Sequence, residues 1–133
     1  MASSVENRRR HWAARQQQNA AYGAKGVAVA WWEQACHVAT ECARGGDHSM
    51  WDDLVAALTT FCARHQAEAS GKRAQNRLRH WEERMAALGD AAPRARALAW
   101  WDRARALAGD QADIEAWSDL ARTVQNVCRR HAA

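Results

Sequence analysis

The chain is poor both in the residues that interrupt helices and in those that favour strands. It holds one proline, Pro93, and few β-branched side chains among abundant Ala, Arg, Leu, Gln and Glu. Proline removes a backbone donor, and β-branched residues suit the pleated surface of a sheet. Their scarcity excludes a β-rich fold and predicts helix nearly throughout. No apolar run approaches the roughly 18–20 residues of a membrane span. The opening "MASSVENRRR" lacks the apolar stretch of a secretory signal. The four cysteines, Cys36, Cys42, Cys62 and Cys128, are spaced unlike a small disulfide framework. A cytoplasmic protein with reduced thiols and no membrane association is therefore expected. Catalytic signatures are scarce as well. The sequence has no glycine-rich phosphate loop, nucleophile elbow, HExxH or di-iron ExxH pair. We expect no enzyme and no cofactor.

Tryptophan is what the chain has in quantity: eight, against one Phe and one Tyr in 133 residues. Each can bury roughly 150–250 Å², so tryptophan should dominate the packing. Lysine is nearly absent, two of nineteen basic residues, and the net charge is +4. The length suits one domain, or two small halves that fold together.

The chain repeats itself. Residues 7–32 laid over 76–101 share ten identities in twenty-six positions, among them Arg10/Arg79, His11/His80, Trp12/Trp81, Arg15/Arg84, Trp31/Trp100 and Trp32/Trp101. Further on, "MWDDL" (50–54) meets "AWSDL" (116–120), and "CARH" (62–65) meets "CRRH" (128–131). Two copies are too few for a solenoid. The duplication predicts an all-α fold of six helices in two tandem, pseudo-symmetric three-helix units, residues 1–70 and 71–133. Together they would form one compact domain around a shared tryptophan-rich core.

Each unit reads as three helices. The first runs from about Ser4 to Ala21 and again from Lys72 to Leu88, where Gly89-Asp90 stops it. The second runs from about Val27 to Arg44 and again from Pro93 to Ala108, with proline suited to the first turn. On a helical wheel Ala28, Trp31, Trp32, Ala35, Ala39 and Cys42 share one face, opposite Glu33, His37 and Glu41. The third helix has the cleanest stripe: Trp51, Leu54, Val55, Leu58, Cys62 and His65. Its copy is Trp117, Leu120, Ala121, Val124, Cys128 and His131. Ser70-Gly71 separates the units, although helix is not excluded across a single glycine.

Two features carry candidate chemistry. The pairs Cys62/His65 and Cys128/His131, each three apart on one helix face, would offer a Cys₂His₂ zinc site if the fold brought them together. They are weak candidates. Zinc modules usually place two ligands on a turn, and a buried cysteine with a histidine near a helix C-terminus needs no metal. No metal is expected. Cys36 and Cys42 have no counterparts in the other copy and read as structural thiols.

The repeated RxRHWxxR is the other feature. Trp12 and Trp81 read as anchors, flanked by cations. Charge is segregated: residues 1–30 carry +4 and residues 64–84 carry +3, whereas residues 31–63 carry −4. Candidate partner-binding residues are Arg8, Arg10, His11, Arg15, Gln16 and Asn19 in the first copy, and Arg77, Arg79, His80 and Arg84 in the second. Pairing of the arginines with acids of the other helices is the competing reading. Arg9, Gln16 and Asn19 stand where the second copy has Leu78, Met85 and Leu88. The first helix should therefore be the less buried of the two.

Taken together, these features predict a non-catalytic helical regulator or adaptor that binds a protein partner through its arginine-rich helices. A nucleic-acid-binding protein is the alternative, weakened by fifteen acidic residues. A bundle holding a small molecule or a metal is a further one.

Overall fold

A computed structural model describes residues 4–66, 72–89, 92–110 and 114–131. The fold is all-α. Six helices follow in chain order: α1 (Ser4–Ala20), α2 (Gly23–Arg44), α3 (Ser49–Gln66), α4 (Lys72–Leu88), α5 (Pro93–Asp110) and α6 (Ile114–His131). The described residues contain no strand. Among them, no helix is long and apolar enough to cross a membrane. The break at Ser70-Gly71 and the stop at Asp90 lie outside the described residues.

Local sequence explains most boundaries. Pro93 opens α5, where its missing N–H costs nothing. At the end of α2, Gly45, Gly46 and Asp47 return their N–H groups to the Cys42 and Ala43 carbonyls, satisfying acceptors that the last turn leaves open. The Asp47 carboxylate then accepts bonds from the Ser49 N–H (3.0 Å) and hydroxyl (2.6 Å), fixing the entry to α3. These bonds hold the Asp47 carboxyl below its ordinary pKa.

Two boundaries differ from expectation. Helix α2 starts at Gly23, a turn before Val27, because Gly23 (φ +79°) makes the sharp exit from α1. Helix α5 runs through Gly109 to Asp110 rather than stopping at Ala108. Gly109 keeps an ordinary negative φ and faces the Trp117 ring, the nearest atom lying 3.9 Å from where a Cβ would stand.

The helices interlock across the sequence halves. Helix α2 packs most extensively on α6, and α5 on α3, while α3 and α6 lie side by side. These four enclose the core, in which Leu54, Leu58, Phe61, Leu120, Val124 and Val127 are wholly buried. Trp51 and Trp117 join them from α3 and α6. Trp32 of α2 and Trp101 of α5 stack face to face, centroids 4.7 Å apart and planes within 6°. Of each tryptophan pair, only the second reaches the core. Trp31 and Trp100 stay half-buried at its edge, and the Arg103 guanidinium lies 5.3 Å over the Trp100 ring.

Helices α1 and α4 are peripheral. Among the described residues, α1 packs only on α2 and α4 only on α5. The first helix is not the less buried of the two: among the described residues each has four half-buried side chains and none fully buried, and α1 packs more extensively on α2 than α4 does on α5. Gly26 stands where the end of α1 meets α2. A Cβ there would stand 2.3 Å from the Asn19 carbonyl oxygen, so only glycine lets the end of α1 approach α2 this closely. The second copy has Ala95 at this position.

Candidate functional site

The two outer helices divide their cations by depth. On α1, Arg8, Arg10 and His11 are exposed, and Trp12 is half-buried against His37 of α2, with centroids 5.7 Å apart. Arg15, one turn further, forms an ion pair with Glu33, whose hydrogen bond raises the arginine pKa. Gln16 donates weakly to Gln34 at 3.4 Å, and Asn19 lies half-buried beside Gly26. On α4, Arg77, Arg79 and His80 are exposed, and Trp81 is half-buried. Arg84 covers the Trp81 ring at 5.0 Å and reaches Asp102 at 3.1 Å.

The RxRHWxxR motif thus has the same division of labour twice. Its tryptophan and last arginine face the neighbouring helix, while its first two arginines and the histidine face solvent. Of the candidate residues, Arg15, Gln16, Asn19 and Arg84 sit at helix–helix contacts. Arg8, Arg10, His11, Arg77, Arg79 and His80 form the outer surface.

The α1–α2 contact is polar and imperfect. Gln16 Oε1 and His37 Nε2 are buried with no hydrogen-bond partner among the described residues. An unsatisfied buried polar atom costs about 1–3 kcal/mol, so Trp12 and the Arg15–Glu33 pair hold α1 against an adverse background.

The structure does not gather Cys62, His65, Cys128 and His131 into one cluster. Both cysteines point into the core, 1% exposed, and burial pushes each thiol from 9.0 up to about 12. The histidines turn to carboxylates instead. His65 Nε2 lies 2.8 Å from Asp119 Oδ2, and His131 Nε2 bonds to Asp53. Arg64 adds a second contact to Asp119 at 3.1 Å. Among the described residues no group of three or more His, Cys, Asp or Glu side chains is placed to hold a metal ion.

These reciprocal His–Asp contacts tie the end of α3 to the start of α6 and the reverse. Their signal was present in the duplication. Asp53 aligns with Asp119 and His65 with His131, the same twelve residues apart in each copy.

Between the two contacts, the seam of α3 and α6 opens into a groove of about 510 Å³. Its α3 side is Asp53, Ala56, Ala57, Thr60 and Arg64, and its α6 side includes Asp119, Arg122, Asn126 and Arg130. Nothing in the sequence reading pointed to this groove, because helical periodicity identifies a buried face and not the rim beside it. A smaller cleft of about 340 Å³ lies between α1 and α2, edged by Arg15, Tyr22 and Lys25.

Compared with known proteins, the chain matches no protein family, no curated protein and no solved structure.

Proposed function

We propose that the chain is a non-catalytic helical adaptor or regulator, which binds a protein partner through the outer faces of α1 and α4. One observation carries this reading. Among the described residues each helix rests on a single neighbour and turns two arginines and a histidine outward: Arg8, Arg10 and His11, and Arg77, Arg79 and His80. The inner arginines, Arg15 and Arg84, serve to hold those helices in place.

In this reading the fold is two tandem pseudo-symmetric units, residues 1–70 and 71–133, sharing a tryptophan-rich core as one domain. Three aligned pairs support it: the Trp32–Trp101 stack, the Arg15–Glu33 and Arg84–Asp102 ion pairs, and the two His–Asp contacts. The free cysteines accord with a reducing, cytoplasmic setting.

The test is affinity capture from the native host with nuclease controls, followed by substitution. Charge reversal at Arg8, Arg10, Arg77 and Arg79 should leave the fold intact, because exposed changes usually cost within about 0.5 kcal/mol. It should slow association with the captured protein, and higher salt should mimic the effect. Undiminished capture refutes the surface. Loss of the partner on nuclease treatment replaces the protein partner with nucleic acid.

A further inference from the structure

The geometry points to the groove between α3 and α6 as a second docking site, for an acidic helix of a protein partner. This goes beyond the outer-helix surface and does not depend on it. Arg122, Asn126 and Arg130 succeed one another every four residues on α6, so they share a face and edge the groove together. The two arginines are eight residues apart, about 12 Å along the axis at 1.5 Å per residue. That span matches carboxylates two turns apart on a helix lying along the groove.

The floor is small. Ala56 and Ala57 present methyl groups only, which lets another backbone come close. The charge is available as well: neither Arg122 nor Arg130 has an ion-pair partner among the described residues. The two carboxylates at the ends are already engaged, Asp53 by His131 and Asp119 by His65 and Arg64.

A helical peptide fits this arrangement better than a nucleic acid or a small anion. A uniform phosphate backbone would carry charge along the whole groove, whereas the unpaired cations stand at two points, Arg122 and Arg130. A small ligand is usually buried over most of its surface, whereas this seam is open along its length. An amphipathic helix presents carboxylates at intervals, and Asn126 can both donate and accept beside them.

The test is a nuclear magnetic resonance titration of the isotope-labelled full chain. The probe is an alanine-based helical peptide with glutamates two turns apart along one face. Shifts should fall on the facing edges of α3 and α6, from Asp53 to Arg64 and from Asp119 to Arg130. The double variant R122E/R130E should weaken binding by about tenfold or more, and R122K/R130K should retain most of it. R129A, an exposed position on α6 outside the groove, should bind as the parent does. Circular dichroism should show every variant folded. The proposal is overturned if the shifts map to α1 and α4 or are absent. It is equally overturned if R122E/R130E leaves the affinity unchanged, or if an oligonucleotide of equal charge displaces the peptide as well as a second acidic peptide does.

Discussion

Replacing Trp32 with alanine tests the centre of the fold. The ring is 7% exposed and lies flat against Trp101, itself 6% exposed. Removing a buried aromatic of this size costs about 3–5 kcal/mol, part lost transfer energy and part cavity. The side chain also leaves the inner ring of its partner uncovered. A stacked pair contributes about 0.5–1.5 kcal/mol beyond the area it buries. Single domains are stable by only about 5–15 kcal/mol, so Trp32→Ala should remain folded but close to its limit.

For a chain of this size each kcal/mol moves the melting temperature by about 3–5 °C, which gives a drop of about 9–25 °C. Circular dichroism at the helical band is the right readout, because seven other tryptophans would obscure a fluorescence change. Trp101→Ala should behave alike. The double variant should cost about 1 kcal/mol less than the sum of the two, since either single change already breaks the stack. Melting of both single variants within a degree or two of the parent would refute the core placement. Additivity of the two substitutions would refute the stack.

Thiol ionisation gives stability a pH dependence. Above pH 9.0 the unfolded chain releases the protons of Cys62 and Cys128, while the folded chain keeps them to about 12. The unfolded state then binds fewer protons, so stability falls as pH rises through this window. The slope should reach about 3 kcal/mol per pH unit for the two groups, and Cys62→Ala with Cys128→Ala should abolish that part of it. The same double variant should fold, and a chelator should not shift the parent's melting temperature. Stoichiometric zinc in the purified protein, lost together with the fold in the variant, would overturn the account of the cysteines. Gly26→Ala should loosen α1, because its Cβ would strike the Asn19 carbonyl. Faster amide exchange across α1 with unchanged protection in α6 is the expected pattern, and unchanged exchange in α1 would refute the close approach.

The stripes of α3 and α6 were legible in the sequence because burial there follows a strict three-and-four spacing. Trp51, Leu54 and Leu58 are buried as that spacing requires, and so are Trp117, Leu120 and Val124. Their partners were not legible. A periodic face says that something covers it, and nothing in the α2 pattern says that α6, rather than α3, does so. The relative burial of α1 and α4 was not legible either. Leu78, Met85 and Leu88 make α4 the more apolar helix, but all three remain half-buried. Trp12, Arg15, Gln16 and Asn19 of α1 are half-buried too, and Gly26 lets the end of α1 close on α2. Among the arginines, RxRHWxxR showed where the cations were. It did not show which of them would turn inward, because that depends on Glu33 and Asp102 standing on the facing helix.

The two candidate surfaces differ in what holds them, and so in how they would respond to a partner. Arg122, Asn126 and Arg130 stand on α6, whose opposite face is buried from Ala116 to Cys128. Such a site is pre-formed, and its ligand need not order it. Arg8 and Arg10 stand on α1, which among the described residues is held to a single neighbour over an interface where Gln16 Oε1 and His37 Nε2 find no hydrogen-bond partner. A partner that stabilised α1 would add binding energy at one end of the helix and meet a weak contact at the other. Part of its affinity would then be spent on fixing α1 in place, and strengthening the α1–α2 contact would tighten binding without touching the arginines. Replacing His37 with an apolar residue of similar size removes one of the orphaned atoms and leaves the outer cations unchanged. That makes it the substitution that separates the docking of α1 from the recognition carried by α1.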